Sequence, residues 1–283
     1  MKIGIGLPNQ VRDLHAPVIP QFAAKAEQAG FSSLGTIGRI AYPGIMDTVA
    51  LAAAAGATST IGLVTTVLLA PVWPPALLAK ELASIQAVSG GRLTVGLGSG
   101  GRPDDFVVEG TSERGRGKRM NAAVEAFQDM WTGKPVGGGD NPGVPGGTID
   151  VPLLFGGGAP AALQRMARWG VGYIGGAMPP QYAGPAFDAA RAAWQEEGRD
   201  GEPRLVVINY VALGDPDKGR ANIHDYYSVN GDYADQAAAG VNTTAEAVKA
   251  TVKGFEEAGV DELIFTTTTD DLDEITRLAD IVL

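Results

Sequence analysis

Apolar positions recur along the chain in two alternating rhythms. Short runs that are continuous or alternate with period two fall near 2–7, 33–37, 60–69, 93–98, 152–155, 171–175, 204–213 and 261–266, and read as strands. Between and after them, near 17–29, 47–55, 75–88, 115–132, 160–169, 181–198, 244–257 and 270–282, apolar residues return every three or four positions and predict helices. Boundary residues agree with this division. Gly30 follows "AAKAEQA", Pro74-Pro75 opens "ALLAKELASIQAV" and Gly259 follows "VKGFEEA", as stops and starts of helices should. Eight strand-helix pairs of roughly 35 residues each suit a (β/α)8 barrel better than a doubly wound sheet, and the barrel is expected to be one domain over 1–283. Two segments, 133–152 and 214–242, break the rhythm and are expected as loop insertions at the C-terminal face. The second carries short helical patterns suited to covering the barrel mouth.

A chain of 283 residues can bury a large core without staples, and it contains no Cys for disulfides, thiolate metal sites or a thiol nucleophile. The formal net charge of −10 repels nucleic acid, and the one basic cluster, Arg114, Arg116, Lys118 and Arg119, is too short for a phosphate-backbone footprint. The longest apolar stretch, Ile61 to Leu69, falls far short of the ~20 residues that span a bilayer. The start, "MKIGIGLPNQ", lacks the features of a signal peptide, so no membrane role and a cytoplasmic location are expected.

Two glycine clusters suggest ligand contacts. "GLGSGG" at 96–101 has the spacing G-x-G-x-x-G, but it follows the fourth strand and no acidic residue closes a next strand. The following "RPDDFVVEG" reads as a polar loop, with no helix before about residue 117. These glycines read either as a strand end that lets a flat ligand approach the backbone or as a flexible loop. In "PLLFGGGAPAALQRMARWG", Gly156, Gly157 and Gly158 lead into a helix with Pro160 in its first turn. Free N–H groups at such a start suit a phosphate, and a purely structural turn is the alternative.

The segments "IGIGLPN", "AEQAGFSSL", "TIGLVTTVLLAPVWPPALLAKELASIQAVSGGRLTVGLGSGGRPDDFVVEG" and "PLLFGGGAPAALQRMARWGVGYI" together resemble the bacterial-luciferase-like flavin-dependent oxidoreductases over nearly the whole chain. The resemblance implies a (β/α)8 barrel that binds reduced FMN, or alternatively the deazaflavin coenzyme F-420, at its C-terminal mouth. It implies a non-proline cis peptide at Thr65-Thr66 beneath the flavin ring and a place beside the ring for Gly98, Ser99 and Gly100. Gly156 to Ala159, including Gly157 and Gly158, then match the phosphate-holding amides, and Asn9 matches a pocket-lining position. Where many relatives carry a histidine or an acid-histidine pair after the second strand, this chain has Gly38 and Arg39. Arg39 stays charged, so it can stabilise an anion but cannot abstract a proton. Where sugar dehydrogenases of the family have a glutamate after the fourth strand, this chain has Gly100-Gly101.

Of the two histidines, His15 and His224, the second lies in the tyrosine-rich "NIHDYYSVNGDY" and is the candidate for acid-base work beside Arg39. The adjacent acids Asp104-Asp105 and Asp270-Asp271 lack further ligands for a metal and read as solvated acids or a helix cap. No nucleophile elbow, P-loop or zinc-protease motif is present, and no metal is expected. The expected function is a flavin-dependent oxidoreductase or monooxygenase acting on a small, hydrophobic organic substrate. Two alternatives stay open: a non-catalytic flavin-binding barrel, and a non-flavin barrel enzyme for a phosphorylated substrate. In the latter, Lys80 within a helical pattern is unsuited to a Schiff base. A flavin reductase would be a partner if FMN is used, and the resemblance implies a homodimer.

Overall fold

The computed structural model describes residues 1–283 as a closed barrel of eight parallel strands in sequence order. The strands are β1 (Lys2–Gly6), β2 (Ser33–Thr36), β3 (Gly62–Leu68), β4 (Leu93–Leu97), β5 (Leu153–Phe155), β6 (Gly172–Gly175), β7 (Arg204–Val211) and β8 (Glu262–Thr267). β1 pairs with β8 through Lys2–Glu262 to Gly6–Thr266, which closes the cylinder. Around it lie α1 (Val18–Ala29), α2 (Asp47–Ala57), α3 (Pro75–Val88), α4 (Pro103–Val108), α5 (Arg116–Trp131), α6 (Pro160–Trp169), α7 (Gly184–Glu196), α8 (Pro216–Tyr226), α9 (Tyr233–Ala239), α10 (Ala245–Glu257) and α11 (Asp273–Val282). All eight strands and eight main helices fall where the hydrophobic periodicity places them. No helix is long and apolar enough to cross a membrane.

Parity along the strands sorts the core into two layers. Outward residues such as Ile5, Leu34, Leu63, Leu97 and Leu263 join helix residues in one large apolar cluster between barrel and helices. Inward residues Val64, Leu154, Ile174, Val206, Ile208 and Ile264 fill the lumen. The bulk comes chiefly from β5 to β8, and β1, β2 and β4 answer with glycine. A Cβ on Gly35 would lie 2.9 Å from Ile264 Cγ2, and one on Gly6 would lie 2.7 Å from the Thr266 backbone. The repeated glycines of "KIGIG" and "SLGT" are thus packing requirements of a tight lumen.

At the N-terminal end, buried Glu262 accepts from Ser32 Oγ at 2.6 Å and Ser33 Oγ at 2.7 Å and pairs with Arg204 at 2.5 Å. Arg92, from "SGGRL", donates to the carbonyls of Ala55, Thr58, Ile61 and Ser89 and so ties α2 to β3. These contacts secure the end opposite the mouth.

Two expectations are corrected. "RPDDFVV" is not a polar loop: it forms α4, with Pro103 in its first turn, acids near its N-terminus and Phe106 buried. Proline and early acids favour that start, and the burial of one aromatic offsets the poor length of the helix. The cis peptide lies at Thr66-Val67, one bond beyond Thr65-Thr66. There the β3–β4 ladder shifts register between Thr65 and Leu68. The insertion 214–242 supplies α8 and α9, and Tyr226 at the end of α8 packs against the lumen cluster.

Candidate functional site

Buried polar atoms without partners mark one end of the barrel. There are nine: Asn9 Oδ1, Gln10 Oε1, Thr36 Oγ1, Arg39 Nε, Asp47 Oδ1, Thr48 Oγ1, Arg102 Nε, Asp105 Oδ2 and Thr266 Oγ1. Every one sits at or beyond the C-terminal end of a strand, in β2, β8, the loops after β1, β2 and β4, or the first turns of α2 and α4. Arg39 Nε and Asp105 Oδ2 face each other at 3.5 Å, beyond good hydrogen-bond geometry. An unpartnered buried polar group costs about 1–3 kcal/mol, so a cluster of them is stable only where something else is bound or the fold compensates.

Asn9 is fully buried, and its Nδ2 donates to Ile37 O at 2.8 Å and Ile45 O at 2.9 Å. Its Nδ2 is thereby bonded twice, and Oδ1 has no donor. Gln10 donates to Thr267 O at 2.6 Å and likewise keeps its oxygen unpartnered. Thr66 and Thr36 are joined through the Thr66 hydroxyl and the Thr36 carbonyl at 3.0 Å. Thr65 points the other way and donates to Gly96 O at 2.8 Å.

Arg39 is buried, with its side chain 2% exposed. It donates to Tyr226 O at 2.9 Å and pairs with Asp104 and Asp105. Asp105, expected to be solvated, is fully buried and accepts from the backbone N–H groups of Ile40 and Ala41, both at 2.9 Å. The α4 helix turns it inward, and two backbone donors on Oδ1 with the Arg39 charge beside Oδ2 offset its desolvation. Asp47, the first residue of α2, is buried with no cation paired to it. Burial lifts its carboxyl to about 7, against the pull of the Asn9 amide and with a further push from Asp105.

A roof of tyrosines closes this end. Tyr42 and Tyr226 meet edge to face at 5.1 Å, Tyr226 and Tyr227 at 5.0 Å, and Tyr227 and Tyr233 at 5.0 Å. Arg102 lies over the rings of Tyr226 and Tyr227 at 4.8 and 4.7 Å, and Arg39 lies 5.4 Å from the Tyr42 centroid. The hydroxyls of Tyr210 and Tyr227 share a 2.6 Å hydrogen bond. At the rim, Asp225 accepts from Arg12 at 2.7 Å and Tyr42 at 2.6 Å, which fastens the end of α8 to the β1 and β2 loops. His224 lies on the outer side of α8, 53% exposed and 3.4 Å from Asp235. It is thus apart from the unpartnered cluster.

The glycine clusters stand on the β4–β5 side of the mouth. A Cβ on Gly98 would strike Val67, which follows the cis peptide, while Ser99 and Gly100 are half-buried. Gly156 is half-buried and Gly157, Gly158 and Ala159 are exposed at the start of α6. Gly157 has φ +108°, and no side chain caps α6. The N–H groups of Gly157, Gly158 and Ala159 make no backbone hydrogen bond at this helix N-terminus. Beyond the β6–β7 rim, a cavity of about 790 Å³ is lined by Met178, Pro179, Pro180, Asn209, Tyr210 and Tyr233 among others, with Glu257 its one acidic residue and no Lys or Arg.

Sequence reasoning missed Asp47, Arg102, Asp105 and Tyr226. "RPDD" was visible, but nothing local shows that α4 turns an acid inward. No cluster of metal-binding side chains is present.

Comparisons with known proteins show which family and fold the chain shares. The Mycobacterium tuberculosis (strain ATCC 25618 / H37Rv) protein Rv0940c is 33% identical over 216 residues, 66% of this chain and 75% of the relative. A second protein of that strain, Rv0953c, is 30% identical over 179 residues, 60% of this chain and 62% of the relative. Among solved structures, the monooxygenase RslO1 from Streptomyces bottropensis superposes with a TM-score of 0.77 at 22% identity, covering 99% of this chain and 97% of that one. An F-420-dependent secondary alcohol dehydrogenase in complex with an F-420-acetone adduct gives 0.78 at 20% identity over 100% and 98%. The coenzyme F-420-dependent tetrahydromethanopterin reductase from Methanopyrus kandleri gives 0.74 at 18% over 100% and 99%. At these identities the likeness is one of fold. Residues 1–271 match the model of the luciferase-like monooxygenases, and the chain belongs to that family.

Proposed function

We propose that the protein is a flavin-dependent oxidoreductase that binds FMN or the deazaflavin F-420 in the barrel mouth and acts on a small, neutral, largely apolar substrate. The observation that carries this reading is the gathering of all nine unpartnered buried polar atoms at one end of the barrel. A bound heteroaromatic ring system rich in N–H and C=O groups would satisfy such a mixed set of donors and acceptors. The fold fits the group on two further counts. Gly98, Ser99, Gly100 and Thr66 present little side chain beside Val67, and the uncapped start of α6 in the segment Gly156 to Ala159 offers the N–H groups of Gly157, Gly158 and Ala159 to a phosphate.

When bound, the cofactor would supply the redox chemistry, hydride transfer with F-420 or oxygen activation with reduced FMN. The chain's own residues orient and enclose it. Asn9, Gln10, Thr36 and Thr266 offer hydrogen bonds at the mouth, Thr65 braces β3 against β4, and the tyrosine roof excludes water. Arg39, held by Asp104, Asp105 and the Tyr226 carbonyl, fixes the roof to the β2 and β4 loops. His224 can reach a reacting group only if α8 moves. The cavity beside Tyr210 and Tyr233 is drug-sized and free of cations, which suits an uncharged substrate. A homodimer belongs to the same reading, and so does a partner flavin reductase if FMN is the cofactor.

Parallel fluorescence titrations with FMN and with F-420 test the proposal. Preference for F-420 directs the search to hydride-transfer substrates, and preference for FMN to oxygenation. Binding of neither overturns the flavin reading and favours a barrel acting on a phosphorylated substrate.

A further inference from the structure

We propose that Asp47 is the proton-exchanging acid of the mouth: it holds a proton in the ligand-free protein and passes it to an oxygen or nitrogen of the bound ligand. The inference rests on the reading of the mouth as the ligand site.

The placement of the side chain is the first reason. Asp47 is 5% exposed, and its Oδ1 has no hydrogen-bond partner. It lies against Gly38 so closely that any Cβ there would collide with the carboxyl group. The absence of a side chain at Gly38 therefore leaves room for a carboxyl reaching in from α2. Nearby, Thr48 Oγ1 and Asn9 Oδ1 are also buried without partners.

The second reason is the charge balance. The groups facing Asp47 are the Asn9 amide from the β1 loop, Asp105 from α4 and the Tyr226 phenol from α8. Behind them, Arg39 pairs with Asp104 and Asp105, and Arg102 lies within 4.8 Å of both the Tyr226 and Tyr227 ring centres. Neither arginine forms an ion pair with Asp47. An ionised Asp47 would add an unpaired buried charge, which the interior disfavours. Burial accordingly pushes the group up to about 7, where it can both give and take a proton near neutrality.

The third reason is that no other group serves. Arg39 and Arg102 do not deprotonate, burial raises the Tyr226 phenol far from neutrality, and His224 is on the outer face of α8. In the transfer, the carboxyl O–H bond breaks, a bond forms between that proton and the ligand heteroatom, and the electron pair stays on Asp47. The resulting carboxylate sits in the first turn of α2, where the helix dipole favours an anion. The reverse transfer restores the acid.

The test uses the whole protein. Carbon-detected NMR of Asp-labelled wild type and D47N should show one carboxyl with a midpoint near pH 7 that is missing from the variant. Difference infrared spectroscopy of the wild type, which needs no variant, should show a protonated carboxyl at neutral pH. Reduced FMN and reduced F-420, titrated without oxygen, should bind the wild type about tenfold more weakly per pH unit above that midpoint, and D47N without this slope. A midpoint in the ordinary carboxylate range, or the same slope in D47N, would overturn the role of Asp47. Failure of both cofactors to bind the wild type would overturn the flavin reading, while the NMR midpoint would still report on Asp47 alone.

Discussion

The Asp47 carboxyl, in the first turn of α2, fills the space that a side chain on Gly38 in the β2–α2 loop would need. Gly38→Ala should therefore act as an overpacking substitution and cost about 1–3 kcal/mol in urea unfolding. The cost should shrink in the double variant G38A/D47A, because truncating the acid vacates the space. Equal costs in both backgrounds would show that the contact is not what limits residue 38.

Stability should depend on pH through Asp47 with a definite sign. Its folded value of about 7 lies above the ordinary 3.8, so the native state binds the extra proton between those limits and stability falls as pH rises through that window. Asp47→Asn removes the titration and keeps the shape. Unfolding midpoints of the two proteins should be close at pH 4, and D47N should be the more stable by roughly 1 kcal/mol or more at pH 8. A constant difference across that range would contradict a protonated native Asp47.

Arg39 separates a structural role from a chemical one. Arg39→Ala would leave Asp105 buried with two backbone donors but no countercharge, and breaking a buried pair in this way costs about 3–5 kcal/mol. R39A should lose stability on that scale, and D105N should recover part of it in the double variant. If R39A keeps wild-type stability and loses only ligand binding, Arg39 acts on the ligand and the pairing with α4 is incidental.

The barrel was legible because its signal is periodic. Each strand of "KIGIG", "SLGT" or "LTVGL" alternates, each flanking helix repeats with period 3.6, and no tertiary contact is needed to see either. The two glycine-rich strand ends were legible for the same reason, since glycine at the C-terminal end of a barrel strand is a local feature. The polar mouth was not. Asp47 reads as an ordinary acid opening α2, and "PDD" as a loop, because burial depends on how α2, α4 and α8 converge from positions 47, 105 and 226. Placing the cis bond at Thr65-Thr66 had the same limit, since resemblance fixed the strand and the register shift that locates Thr66-Val67 is a property of the β3–β4 pairing.

Glu27 should show the opposite pH behaviour to Asp47, far from the mouth. Burial works to raise this carboxyl, but the N–H groups of Ile61, Thr60 and Ser59 and the Thr60 hydroxyl outweigh it and hold it at about 2. The folded value is depressed below 4.5, so its contribution is present above that pH and is lost as pH falls toward 2. Because the side chain is largely solvated, Glu27→Gln should cost on the order of 1 kcal/mol at pH 7. The gap between E27Q and wild type should close on acidification, and chemical denaturation at several pH values would show a gap that stays open if these hydrogen bonds do not matter.

The start of α6 allows stability and binding to be moved in opposite directions by one substitution. Ala159 is the cap position and has no capping side chain, its carbonyl accepts from Ala162 and Leu163, and the N–H groups of Gly157, Gly158 and Ala159 make no backbone hydrogen bond. Ala159→Asp supplies a capping acceptor and a negative charge at a helix N-terminus, each of which favours the folded state, together by about 1 kcal/mol. The same carboxylate occupies the donors that a phosphate would use and repels its charge. A159D should therefore melt at a higher temperature than the wild type, while its affinity for FMN or F-420 falls at least tenfold. If binding is unchanged in the more stable protein, the phosphate is held elsewhere and Gly156 to Ala159 form only the turn from β5 into α6. If stability also falls, the turn geometry set by Gly157, not its free donors, is what this segment contributes.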